Sequence, residues 1–246
     1  MPQTPPRSPR PTAQGLRLDI PELFDSWQLG ITPLTPSLIL GAKADPYPPA
    51  EATQRRTRRL LEGAREIRSI SGLEISILTR SPLLLRDLDL LVDLDQRHTV
   101  TVSVLIPAAE AKLASRIEAS APSIQPRSPQ PALSSFAAAS RSAPPSPPSL
   151  PSPPSPDVRF ELVRALTSHG IATQVLCTPV RPGLNNSVAV LRRLFDRAHD
   201  AGAFDVCPAP RHPSLRPTST ESRQLLALFH RLRLERGFPR TLPGRG

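Results

Sequence analysis

The chain has 246 residues, 33 of them proline, and a formal net charge of +10. The length allows one large domain or two small ones with a core of their own, and a proline content well above the usual ~5% assigns part of the chain to disorder. Two cysteines exclude a disulfide framework and a zinc-finger spacing, and no apolar run approaches the ~20 residues that span a bilayer.

The N-terminal MPQTPPRSPRPTAQG carries arginines but no apolar segment of a secretory signal, so the expected location is the cytoplasm, with no membrane partner. Lys43 and Lys112 are the only lysines, and every other basic residue apart from histidine is an arginine. A nucleic-acid surface does not need that bias, whereas a GC-rich genome produces it. The charge therefore does not by itself select a nucleic-acid partner, which stays an open reading.

Residues 1–15 form a Pro-rich tail expected to be disordered. Beyond it, apolar strands and helical patterns alternate. SLILG (37–41) reads as a short strand, and residues 50–66 as one helix weakened by Gly63. LEISILT (73–79) is the second strand. Residues 81–97 read as a helix with Ser81 as N-cap, Pro82 at its first position, and Leu84, Leu88 and Leu91 on one face. TVTVSVL (99–105) is the third strand, and residues 108–119 a helix.

Residues 121–156 form a second disordered tract, whose twelve prolines suit extended polyproline II pieces and no packed core. It reads either as a solvated insertion or as a ligand for a proline-recognising partner. A helix over 157–170 opens on Asp157 and closes on Gly170, and IATQVLC (171–177) is the fourth strand. A helix over 187–202 opens on Ser187 and closes on Gly202, and AFDVC (203–207) is the fifth strand. Residues 219–236 close the chain as a helix with Leu225, Leu228, Phe229 and Leu232 as its stripe.

The expected fold class is α/β: an incomplete parallel βα barrel of about five units with right-handed crossovers. Its parts are residues 16–120 and 157–246, interrupted by the disordered insertion at 121–156. In such folds ligands sit at the carboxyl ends of the strands. That rule selects the loops 42–49, 79–82, 105–107, 177–186 and 207–218.

Asp45 in the first loop either binds a ligand amine or hydroxyl or caps backbone amides before Pro46. Tyr47, the only tyrosine, either stacks on an adenine or packs on the rim. Cys177 and Cys207 end neighbouring strands, as two thiols for a metal or, as is common for cysteine, as small buried apolar residues. No histidine pairs with Glu or Cys at a metal-ligand spacing, and neither GxGxxG nor GxxxxGK[ST] occurs. No metal ligand and no catalytic residue is assigned.

Four stretches in order also resemble a known family. GAKADPYPPAE with the following RRTRRLLEG is similar to the G-T-x-T-D-P-Y-Q-P-x-E stretch of radical S-adenosylmethionine proteins of the spore photoproduct lyase-like group, often labelled DNA repair photolyases. ILTRSPLLLRDLDLL resembles that group's I-x-T-K-S-x-L-I-x-R-D-x-D-L-L. VTVSVL with RIEASAPS, and FELVRALTSHGIATQVLCTPVRPGLNN, resemble its later motifs, so that the likeness covers about residues 37–207 apart from the insertion.

The resemblance implies a partial (βα)₆ barrel. It also implies a [4Fe–4S] cluster held by a C-x-x-x-C-x-x-C loop, with S-adenosylmethionine on its fourth iron and radical chemistry on a substrate. It places Asp45, Tyr47, Thr79, Ser103 and Asn185 at cofactor-binding positions.

The chain departs from the pattern. No cysteine precedes Cys177, so the cluster is not expected on this chain, and five units are counted where the family has six. Ala44, Pro48, Arg80, Ala119, Ser120 and Asn186 stand where the motifs have other residues. The missing first unit exposes the edge of SLIL: either residues 16–34, which carry enough apolar side chains to dock, cover it, or the product is poorly stable. The expected function is a truncated or degenerate radical S-adenosylmethionine relative without radical chemistry in this form. The alternatives are an active enzyme whose cluster-binding part lies outside this sequence, and a non-catalytic basic nucleic-acid-binding protein.

Overall fold

The computed structural model describes residues 27–31, 36–42, 44–66, 72–120, 152–208 and 220–239. The expectations placed on the N-terminal tail, on Lys43, on most of the 121–156 insertion and on most of the 207–218 loop lie outside the described residues.

Six strands form one sheet in chain order: β1 (Trp27–Ile31), β2 (Pro36–Leu40), β3 (Glu74–Thr79), β4 (Thr99–Leu105), β5 (Ala172–Leu176) and β6 (Asp205–Cys207). β2 to β6 are parallel, and β1 pairs antiparallel with β2, Trp27 opposite Leu40. The edge of SLIL is therefore covered, as expected, by part of the 16–34 segment. Strands laid down in chain order never reverse their winding, so right-handed crossovers put the helices on one face of the sheet. That is the arrangement of a partial βα barrel, with a helix-covered outer face and an inner face.

The helices are α1 (Glu51–Gln54), α2 (Arg56–Glu66), α3 (Leu88–Asp95), α4 (Ala111–Ala119), α5 (Pro156–Ser168), α6 (Val188–Asp200) and α7 (Thr220–Glu235). The main core lies between them and the outer face, where Leu40, Ile77, Val102 and Val175 meet Leu61, Leu91, Phe160 and Phe195. α7 docks on α6 through edge-to-face contacts of Phe195 with Phe229 and, just beyond the helix, Phe238, at 5.5 and 5.8 Å between ring centroids.

Several local expectations are corrected. The helix expected over 50–66 is broken at Arg55, whose φ of 50° is left-handed and ends α1. The helix expected over 81–97 begins as a 3₁₀ helix, Pro82–Asp87, before α3. Three residues per turn align Leu84 and Asp87, and both are fully buried. Ser81 is the N-cap as expected, its side chain accepting from Leu83 N. α4 starts at Ala111, three residues late, and α5 is capped by Ser155 with Pro156 in its first turn, ahead of the expected Asp157.

The two faces of the sheet differ. β4 alternates over its first half, with Thr99 exposed and Thr101 half-buried between Val100 and Val102. The inner face of the sheet is thus partly polar.

Candidate functional site

Gly41 ends β2 at φ +95°, and a Cβ there would stand 2.1 Å from Leu78 O. Only glycine lets the first loop turn this close to β3. The turn brings Asp45 against the end of β3. Its Oδ1 accepts from Tyr47 N at 3.0 Å and from Thr79 Oγ1 at 2.6 Å, and its Oδ2 accepts from Arg80 N at 2.9 Å. Thr79 Oγ1 in turn accepts from Ser81 N at 3.0 Å. Two of the motifs read in the sequence, 34 residues apart, therefore meet at one carboxylate. Of the two roles open to Asp45, the structure displays the amide-capping one, extended to the neighbouring loop.

Tyr47 is not on the rim, which corrects its expected placement. It is 1% exposed and sits in the main core on the helix side of the sheet. Its hydroxyl lies near Asp87 but in no hydrogen bond of normal geometry. Burial first, and then the Asp87 carboxylate, raise the phenol well above its usual range. Around it, Arg86 joins Glu51 and Asp87, and Arg58 joins Asp87 and Asp89. This ion network ties α1 and α2 to the 3₁₀ helix and the start of α3.

The inner face carries a lateral row set by the parallel register: Leu78, Ser103, Gln174 and Asp205 stand side by side on β3, β4, β5 and β6. Ser103 Oγ accepts from Gln174 Nε2 at 2.7 Å. Cys207 Sγ donates to Asp205 Oδ2 at 2.9 Å and lies 3.6 Å from Gln174 Oε1. Asp205 is fully buried and paired with Arg233 of α7, Nε to Oδ1, at 2.6 Å. One row nearer the start of the strands, Ser76 and Thr101 are cross-strand neighbours and only half-buried. The inner face can thus present hydroxyl and amide groups, with its one buried charge neutralised.

Asn185, fully buried, staples two other strand-end loops. Its Nδ2 donates to Pro107 O at 2.7 Å and to Pro179 O at 3.1 Å, and its Oδ1 accepts from Arg181 N at 2.7 Å. Cys177 lies beneath it, with Sγ 3.5 Å from Pro107 O. Burial pushes this thiol up to about 12.

Of the five expected positions, Asp45 and Thr79 are in contact, Ser103 lies on the inner face, Asn185 joins the loops after β4 and β5, and Tyr47 is in the core. Gln174, Asp205 and Arg233 escaped the sequence reading. Gln174 was the most findable, as a polar residue inside an apolar strand.

The residues present do not fit a [4Fe–4S] cluster. Such a cluster takes Cys thiolates, and the chain has two cysteines in all. Cys207 shares a face with Leu176, its register partner, so Cys177 belongs to the opposite face, in the main core. The two thiols cannot converge on a metal; the buried-apolar reading describes Cys177, while Cys207, also buried, donates to Asp205. Among the described residues no group of three or more metal-ligating side chains comes together, and no described helix is long and apolar enough to cross a membrane.

No family model matches the chain. It is similar to uncharacterized proteins of Mycobacterium tuberculosis (strain ATCC 25618 / H37Rv and strain CDC 1551 / Oshkosh) and of Mycobacterium bovis (strain ATCC BAA-935 / AF2122/97). Each is 26% identical over 170 residues, which cover 69% of this chain and 39% of the relative. The chain thus spans about two-fifths of the length of the curated relatives it matches.

Proposed function

We propose that this chain is a relative of the radical S-adenosylmethionine proteins of the spore photoproduct lyase-like group, in a form without cluster ligands and without radical chemistry of its own. The observation that carries the reading is the contact of Asp45 with Thr79 and Arg80 at the strand ends. These residues belong to two separate stretches that resemble the family's motifs, and their meeting is what a shared barrel rim requires. The uninterrupted chain-order sheet supports the same reading. On it, Ser103 and the part-open hydroxyls of Ser76 and Thr101 are the groups left for a nucleoside, while Asp45 and Asn185 hold loops.

Anaerobic iron–sulfur reconstitution tests the proposal, read by absorption and iron content. The expected result is no stoichiometric cluster on this chain. A four-iron cluster bound to it would overturn the account of the missing ligands.

A second reading is an active enzyme whose cluster loop lies in further sequence, and the greater length of the mycobacterial relatives favours it. Translating the region upstream decides between the two. An in-frame C-x-x-x-C-x-x-C segment selects the second reading, and its absence selects the first.

A further inference from the structure

α4 is not the crossover helix between β4 and β5. That role falls to α5, which packs on both strands. α4 instead lies across the loops that leave the strand ends. Its Ala114, Ile117 and Leu113 pack on Ala108 after β4 and on Leu184 and Val190 beyond β5. Glu110, just before it, pairs with Arg193 of α6, and Ser120 O, just after it, accepts from Arg181 Nη2 at 3.2 Å. Only two side chains of this nine-residue helix are buried, against six in α5 and four in α6. A helix this short is not stable by itself, so its fixed contacts decide whether it stays docked.

The strongest of these contacts is Glu118. Its two oxygens accept from Arg159 Nη1 and Nη2 at 2.7 and 3.0 Å. Arg159 is fully buried, and it also donates to Leu105 O and Pro154 O, both at 2.8 Å. The guanidinium is therefore held by β4 and the lead into α5, whether or not α4 is docked. Ala108 and Leu184, on which α4 packs, are the chain neighbours of Pro107 and Asn185, and those two residues contact Cys177 Sγ.

We propose that α4 is a latched strap over the ends of β4 and β5, with Glu118–Arg159 as its latch, and that it opens while the rest of the barrel stays folded. The strap governs access to the loop that carries Asn185. The proposal does not depend on the cofactor reading, because any molecule approaching these strand ends meets the strap first.

Cys177 reports the opening, because the Pro107 and Asn185 segments over its Sγ lose the packing of α4 on Ala108 and Leu184 when the strap leaves. In the full chain carrying Cys207→Ser, which keeps a donor toward Asp205, the rate of reaction of Cys177 with a small aromatic disulfide is measured at neutral pH. Glu118→Ala strands a buried arginine, so the rate is expected to rise on the order of a hundredfold. Cys207, followed in a Cys177→Ser chain, is expected to change far less. Equal acceleration of both thiols would mean that α4 leaves only with the whole fold, and no acceleration of Cys177 would mean that Glu118 is no latch. Either result overturns the proposal. If the Glu118 variant does not fold, native-state hydrogen exchange on the unaltered chain decides: α4 amides are expected to exchange through smaller openings than α5 amides, and equal protection would overturn the strap.

Discussion

At Asp45 a single carboxylate accepts from two backbone amides and the Thr79 hydroxyl. Removing it strands three donors, two of them at the end of β3. Asp45→Ala is expected to lower stability by about 1–3 kcal/mol in urea unfolding, with Asp45→Asn, which keeps one acceptor, falling between. Cys177 yields a pH prediction. Its thiol is raised from an ordinary value of 9.0 to about 12 in the folded chain, because burial disfavours the thiolate. The unfolded chain therefore loses this proton first as pH rises. The stabilisation is fully present below pH 9 and is lost progressively between the two values. Buried Tyr47, raised above its usual range, acts in the same direction at higher pH. Cys177→Ala is expected to flatten the fall in stability measured from pH 9 upward, and an unchanged slope would contradict the assignment.

Among the elements, two of the three expected N-caps were legible, Asp157 giving way to Ser155, and the helix breaks were not. Ser81 and Ser187 were identified as N-caps because a hydroxyl before a helical pattern has one local use, and both accept the expected amide bonds. Arg55 carries no sign of a left-handed turn. The break between α1 and α2 follows from distant groups: Glu51, held by Arg86 of the 3₁₀ helix, accepts from Thr57 N. The 3₁₀ geometry at 82–87 likewise follows from the burial of Asp87 against Arg58 and Arg86, which no local pattern encodes. The roots of the Pro-rich insertion are joined by Glu118, Arg159 and Pro154. Replacing residues 121–151 with a Gly/Ser linker of about ten residues is expected to leave the thermal midpoint within a few degrees, since closure entropy varies slowly with loop length. A loss of cooperative melting would show that the insertion is part of the fold.

For the whole molecule, the incomplete barrel has two ends to protect. β1 covers the edge of β2, and α7 reaches the last strand through Arg233 and Asp205. Asp205 is fully buried and Arg233 about one-fifth exposed, so the pair is only partly screened by water. Arg233→Met leaves a buried carboxylate without its cation and is expected to cost about 2 kcal/mol or more in thermal or urea unfolding. A change near zero would mean that α7 docks through Phe229 and Leu232 alone. Around α6 and α7, Arg192, Arg193, Arg197, Arg231 and Arg236 also pair with carboxylates, but these pairs are exposed and contribute little to stability.

The five parallel strands could be derived from the residues alone, because apolar runs separated by capped helical patterns admit few other arrangements, whereas β1 and its antiparallel pairing were not read. GAKADPYPPAE could likewise be placed at a strand end from its position after SLIL. Three-dimensional packing decided what its residues do. The approach of Gly41 to Leu78 delivers Asp45 to the neighbouring loop and turns Tyr47 into the core. The strand register places Ser103 beside Gln174 and sends the two cysteines to opposite faces. Such contacts join residues tens of positions apart, and a carboxylate that caps a loop is the same residue type as one that binds a ligand. Only the partners distinguish them, and the partners exist only once the chain has folded.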